Sequence, residues 1–277
     1  MLYTCGRNSS GAEALFEYPD IDPVAFSLGR LQVHWYGLMY VLGAIAGWLG
    51  LRWRAQKPAS PIEPSEAEDL VFYVALGVFV GGRIGYMLLY DLAGLVENPL
   101  SLFFVWEGGM SFHGGLIGVL LAMGFFARRR GHAYFTITDL IAPWVAPGIF
   151  FVRVGNFINA ELWGKPTDVP WAVVYQGQAL HPSQLYEATL EGLVIFVVLV
   201  LYSAKAPPRM AVSGMFLLLY GVFRFSIEFI RVPDEGIYIA WDWLTLGQIY
   251  TAPMIVAGIA LLALAYRRGQ VDRRIAP

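Results

Sequence analysis

The stretch Arg153-Val154-Gly155-Asn156-Phe157-Ile158-Asn159-Ala160-Glu161-Leu162-Trp163-Gly164 decides how this chain is read. It packs an arginine, two asparagines, a glutamate and two glycines into twelve residues, between two of the most apolar parts of the sequence. Polar groups at membrane depth are costly and persist where they line a cavity or do chemistry. Glycine lets the backbone approach a ligand or another helix closely. The rest of the chain is therefore expected to hold this segment at one membrane surface.

Composition supports a membrane setting. Of the 277 residues, 57% are hydrophobic and only 14% are charged, against about 25% charged in soluble domains. A net charge of −2 argues against a nucleic-acid partner. The single cysteine, Cys5, excludes an internal disulfide framework and a cysteine-rich metal site. Residues 1–20 lack a basic segment followed by an apolar one, so no cleavable signal peptide is expected and the first span serves as the targeting signal.

Working outward from the opening stretch, seven apolar segments fall near residues 33–51, 70–90, 111–127, 136–152, 185–201, 211–230 and 246–266. Each approaches the length of about 17 to 25 residues needed to cross a bilayer core. Pro143 and Pro147 predict a bent fourth span. Residues 91–110 read as a loop, and 165–182 as a small extracytoplasmic excursion in which 171–175 forms a short strand. The loops after spans one, three and five plus the C-terminal tail carry twelve Lys and Arg, against five for the N-terminal tail and the other three loops. Positive loops stay in the cytoplasm, which puts the N-terminus outside and the C-terminus inside. The expected fold is all-α: one polytopic membrane domain over 1–277, with seven transmembrane helices and a small extracytoplasmic head.

This topology brings the unusual polar residues to one depth. Arg83 lies seven residues from the outer end of span two, about 10 Å at 1.5 Å per residue. Arg224 lies six residues from the outer end of span six, about 9 Å. Tyr36, His113, Arg153, His181, Ser183 and Gln184 all sit at outer span ends. Plainer readings stand beside the functional one. Arg83 can snorkel to headgroups, and Arg224 and Glu228, on one stripe with Tyr220, can neutralise each other. His34, His113 and His132 can be interfacial, and Gly108-Gly109 and Gly114-Gly115 can serve packing alone. The shared depth carries the functional reading. Guanidinium groups bind phosphate bidentately, and a histidine suits proton transfer near neutral pH. No metal-ligand spacing, Gly-rich phosphate loop or nucleophile elbow is present. The residues alone describe a membrane protein handling anionic lipid at the outer leaflet, with a lipid or small-anion transporter as the alternative.

The blocks His34-Trp35-Tyr36-Gly37, Gly81-Gly82-Arg83-Ile84-Gly85-Tyr86, Gly108 through Gly115, Arg153 through Gly164, His181-Pro182-Ser183-Gln184-Leu185-Tyr186-Glu187 and Tyr220 through Asp234 occur in one order. In that order the chain resembles the prolipoprotein diacylglyceryl transferase family over nearly its whole length. Val152 stands where the family signature has glycine. The resemblance implies transfer of the diacylglyceryl group of phosphatidylglycerol to the lipobox cysteine thiol of a preprolipoprotein signal peptide. A thioether forms and glycerol phosphate leaves, at the bacterial inner membrane, with no cofactor and no metal. Its important positions map to Tyr36, His113, Arg153, Asn156, Glu161, Tyr220, Arg224 and Glu228. His113, Arg153 and Arg224 are expected at the reaction. Tyr36, Arg83, Arg153, Asn156 and Gly164 are expected on the phospholipid, with Glu161, Tyr220, Glu228 and His181 in support.

Overall fold

The computed structural model describes residues 16–29, 31–104, 106, 108–232, 239–241 and 243–271. Cys5, Glu107, Pro233-Asp234 and the Arg273-Arg274 tail lie outside the described residues. The chain is mostly helical. Short strands β1 (Phe16–Glu17), β2 (Val24–Leu28) and β3 (Leu31–His34) lead into α1 (Trp35–Ala55). There follow α2 (Pro64–Leu89), α3 (Leu92–Glu97), a 3-10 turn at Pro99–Phe103, α4 (Phe112–Arg130) and α5 (Tyr134–Ile158). A hairpin of β4 (Val173–Tyr175) and β5 (Gln178–Leu180) precedes α6 (Ser183–Glu187). A π-helical segment, Ala188–Val194, joins α6 to α7 (Ile195–Ser203), and α8 (Ala211–Ile227) and α9 (Leu246–Arg268) complete the chain. Among the described residues, four helices are long and apolar enough to cross a membrane: Pro64–Leu89, Tyr134–Ile158, Ser183–Ser203 and Leu246–Arg268; Ala211–Ile227 is apolar but shorter.

Local signals explain where the observed ends depart from the expected ones. The second helix begins at Pro64, inside what reads as a proline-rich linker. Proline suits the first helical turn, and the Glu66 carboxylate accepts the Glu63 N–H at 2.9 Å to close a capping box. Residues 91–110 are not a plain loop. Asp91 accepts the Gly94 N–H to start α3, and Asn98 accepts the Leu100 N–H to start the 3-10 turn. The first helix starts at Trp35 because the residues before it pair as the antiparallel hairpin β2–β3. Helix α5 continues through Pro143 and Pro147 to Ile158, so Arg153 and Asn156 are helical rather than terminal.

Two compact units emerge. The second comprises described residues of 44–145, 196–217 and 257–277. Within it, α2 and α4 meet along glycine faces. A Cβ at Gly81 would lie 2.4 Å from the Gly114 carbonyl oxygen, and one at Gly77 would lie 2.6 Å from that of Gly118. Backbones this close give helix association without a hydrophobic drive, as lipid requires. Near that contact, Leu51, Ile62, Leu70, Phe126 and Ile137 form a buried cluster. Outward faces carry exposed apolar side chains such as Phe72, Phe79 and Leu121, the pattern of a lipid-facing surface.

The first unit comprises described residues of 1–43, 146–195 and 218–256. Its three-stranded sheet runs β1-β4-β5, with β1 parallel to β4. The Tyr18 hydroxyl donates to the carbonyls of Phe157 (3.1 Å) and Ile158 (2.7 Å), satisfying orphan acceptors at the end of α5. Tyr18 also packs edge-on against Phe157, Trp163 and Tyr175. Of the strand expected at 171–175, the last three residues form β4 in this sheet.

Candidate active site

The opening stretch is the centre of the first unit. After α5 the chain turns through Ala160 and Leu162, whose φ angles of 55° and 61° are left-handed. That conformation is costly for residues with a Cβ and persists only when neighbours over-determine it. Here the neighbours are polar. The Trp163 indole donates to the Ala160 carbonyl (2.9 Å), the Ser183 hydroxyl to that of Leu162 (2.7 Å), and the Gln184 amide to that of Glu161. Gly164 donates its N–H to the His181 carbonyl (2.9 Å) and bridges Arg231 in antiparallel fashion. A Cβ at Gly164 would lie 2.7 Å from the His181 Cβ and 2.9 Å from the Ile230 oxygen. Its place in the structure is therefore set by main-chain packing.

Side chains from four segments meet beside this turn. Glu187, at the end of α6, is fully buried. Its carboxylate lies 2.9 Å from Arg153 Nε, 2.8 Å from Arg224 Nη1 and 3.9 Å from Arg231 Nη1. Arg224 Nη2 also meets Glu228 at 2.8 Å, and Arg153 Nη2 lies 3.8 Å from Glu191. Arg153 Nη1 donates to the Asn156 side-chain oxygen (3.4 Å), and the Asn156 amide donates to Glu161 (2.7 Å). Tyr36 packs over α5 at Gly155, where a Cβ would lie 3.1 Å from its ring, and its hydroxyl is 3.1 Å from that of Tyr40. Tyr220 lies one turn before Arg224 on α8. The turn from Glu228 onward is seated by Gly247, where a Cβ would lie 2.6 Å from the Glu228 carboxyl carbon. The π-helical segment begins directly after Glu187 and contains Glu191, and such widened turns recur at functional sites.

Tyr36, Arg153, Asn156, Glu161, Tyr220, Arg224 and Glu228 are thus brought into one neighbourhood. His181 stands at its edge, with Nδ1 3.1 Å from the Tyr186 hydroxyl, and burial pushes its imidazole pKa below the usual histidine value. Arg83 and His113 belong to the second unit. Arg83 is buried, and its guanidinium donates to the main-chain carbonyls of Ser101, Leu102, Gly108 and Gly109. These carbonyls take four of its five N–H groups. His113 is exposed in the first turn of α4, its ring edge-on to Phe112. His132 meets Glu66 at 3.1 Å and stacks on Phe126, a structural arrangement.

Three residues at the heart of the cluster do not stand out as site residues in the sequence: Glu187, Glu191 and Arg231. A signal for two of them exists. Glu187 and Glu191 sit four residues apart in an apolar segment that holds no cation. Buried carboxylates must be paired, so their partners have to come from other helices.

The family model described as prolipoprotein diacylglyceryl transferase matches residues 23–264. The phosphatidylglycerol–prolipoprotein diacylglyceryl transferase of Methylococcus capsulatus is 56% identical over 259 residues, covering 92% of this chain and 99% of its own. That of Pseudomonas syringae pv. syringae is 52% identical over 261 residues, covering 92% and 97%. That of Ectopseudomonas mendocina is 53% identical over 267 residues, covering 93% and 99%. With a family match over residues 23–264 and relatives more than half identical over most of the chain, this multi-pass membrane protein belongs to the prolipoprotein diacylglyceryl transferase family.

Proposed function

We propose that the chain transfers the diacylglyceryl group of phosphatidylglycerol to the lipobox cysteine thiol of preprolipoprotein signal peptides. One observation carries the reading: two arginines from different helices, Arg153 and Arg224, are fixed on a single buried carboxylate, Glu187. The thiolate sulfur attacks the glycerol carbon that bears the phosphate. A C–S bond forms, the C–O bond breaks, and its electron pair leaves on the phosphate of glycerol phosphate. Arginine N–H groups aimed at that phosphate stabilise charge where it develops. Arg153, Arg224 and Arg231 face Glu187, Glu191 and Glu228, so the site offers oriented donors rather than net charge. Each guanidinium carries five N–H donors, which leaves some beyond those bound to carboxylate.

In this reading Arg153 and Arg224 touch the phosphate, with Tyr36 and Asn156 lining the lipid. Glu161, Tyr220 and Glu228 hold those groups in place. Gly164 and His181 act through the packing of the turn, and Arg83 through the loop it holds. His113 takes the thiol proton. The chemistry asks for no metal or cofactor. The seven-span topology is supported by α1, α2, α4, α5, Ser183–Ser203, α8 and α9, which overlap the seven apolar segments, four of them long and apolar enough to cross a membrane. The N-terminus outside the bacterial inner membrane is supported by the twelve-to-five split of Lys and Arg between the two sets of loops. The residues of 165–182 form the extracytoplasmic head. The test is purified protein with phosphatidylglycerol vesicles and a lipobox peptide. The expected product is the peptide with a thioether-linked diacylglyceryl mass and one equivalent of glycerol phosphate. Phosphatidylglycerol consumed without peptide modification would overturn the reading.

A further inference from the structure

A cavity of about 410 Å³ in the second unit is not used by the transfer chemistry. Its size lies within the range of about 300 to 1,000 Å³ typical of ligand sites. Its walls divide by chemistry. Trp53, Leu140, Trp144 and Val212 supply apolar surface, while Arg54, Lys57 and Arg209 supply cations. The division follows the helices. Arg54 is in the last turn of α1, and Arg209 lies two residues before the start of α8. Leu140 and Trp144 lie six and ten residues into α5, about 9 and 15 Å along it. Apolar surface therefore reaches into the span from a cationic end.

Arg54 and Lys57 have no acid partner among the described residues. Arg54 is half-buried and has no hydrogen-bond or ion-pair partner among the described residues. Arg52, two residues away, is held by Glu68 at 3.1 Å. A half-buried guanidinium without acceptors is costly, and an anion removes that cost. Lys57 lies over the Trp53 ring at 4.4 Å, which keeps its ammonium at the cavity. Arg209 Nη1 donates to the Gln270 side chain at 3.4 Å. One carboxylate, Asp139, also lines the space. It accepts from the Met210 N–H (2.7 Å), the Ser213 N–H (2.8 Å) and the Ser213 hydroxyl (2.6 Å), and so serves as the cap of α8. Arg54 and Lys57 thus face a space whose lining carboxylate, Asp139, is held at a helix N-terminus.

We propose that this cavity binds an anionic phospholipid at a site separate from the transfer site, with the phosphate on Arg54 and Lys57 and an acyl chain along Leu140 and Trp144. The apolar walls favour a lipid over free phosphate, which has nothing to place against them. The loops carrying Lys57 and Arg209 are those the charge distribution assigns to the cytoplasm, so the lipid comes from the inner leaflet. The test measures binding of dioleoylphosphatidic acid to the full-length protein in detergent by native mass spectrometry. Arg54→Gln removes the unpartnered cation. Ala204→Trp fills the cavity and leaves every charge in place. Both are expected to weaken one lipid-binding event about tenfold or more, the effect of losing a hydrogen-bonded charge contact. Arg52→Gln, whose guanidinium is on Glu68, binds as wild type, and dioleoylphosphatidylcholine shows no dependence on Arg54. Transfer to a lipobox peptide is unchanged in Arg54→Gln. Wild-type lipid binding in both Arg54→Gln and Ala204→Trp overturns the site. Inorganic phosphate that competes as well as the lipid, with the same dependence on Arg54, overturns the lipid assignment.

Discussion

Replacing Glu187 by Gln removes the carboxylate on which the arginine pair is built. Glu187 is 0% exposed, with one oxygen 2.9 Å from Arg153 Nε and the other 2.8 Å from Arg224 Nη1. Gln keeps the volume but loses the charge, and turns an NH2 group towards one guanidinium. Breaking a buried ion pair from one side costs about 3 to 5 kcal/mol, because a charge is left uncompensated. Arg224 still has Glu228 at 2.8 Å, so the lower end, about 3 kcal/mol, is expected. If that energy holds the guanidinium groups in the geometry of the transition state, kcat falls about a hundredfold, at 1.36 kcal/mol per factor of ten. The assay is steady-state transfer from phosphatidylglycerol to a lipobox peptide, with thermal melting of the same preparation. A double-mutant cycle with Arg153→Lys should give a coupling of about 1 kcal/mol or more, as for residues in one network. A kcat within about twofold of wild type, with an unchanged melting temperature and additive mutations, would refute the reasoning.

Other outcomes follow from the same geometry. Arg153→Ala should insert normally and lose transfer by about a hundred- to thousandfold, the loss expected for one charged transition-state contact; near-normal turnover removes Arg153 from the chemistry. His113→Gln should lose the acidic limb of the pH–rate profile while binding phosphatidylglycerol almost as wild type; much weaker lipid binding with that limb intact makes His113 a headgroup ligand instead. Burial lowers the His181 pKa, so the unfolded chain binds more protons. Its contribution should therefore be intact above the unfolded value of about 6.5 and lost as pH falls from there through the lower folded-state value, which NMR titration of the imidazole and hydrogen exchange of the β1-β4-β5 sheet can check. Gly114→Ala places a methyl group 2.3 Å from the Gly81 carbonyl oxygen and should cost about 1 to 3 kcal/mol by overpacking; an unchanged melting temperature would mean α2 and α4 separate freely.

Several features were legible because they are local. The apolar runs place the helices to within a few residues, and the polar density of Arg153 to Gly164 marks the segment on which the first unit converges. The ends shift where a short-range signal competes with hydropathy. Pro64 with Glu63 and Glu66 opens α2 inside an apparent linker, and Asp91 and Asn98 cap turns inside an apparent loop. The hairpin β2–β3 is hidden because its residues merge with the approach to the first helix.

Sequence alone determined the membrane class, the order of the helices, the family and most of the residues of the cluster, since each depends on composition or on motifs contiguous in the chain. Partnership depended on the tertiary structure. Arg83 ends on the carbonyls of Ser101, Leu102, Gly108 and Gly109, and main-chain acceptors leave no signature in side-chain identity. Glu187 is the shared anchor of Arg153 and Arg224, which lie 34 residues before it and 37 residues after it. Charges that far apart in the chain find one another only when helices pack, because the low-dielectric interior makes each of them costly alone and bearable together.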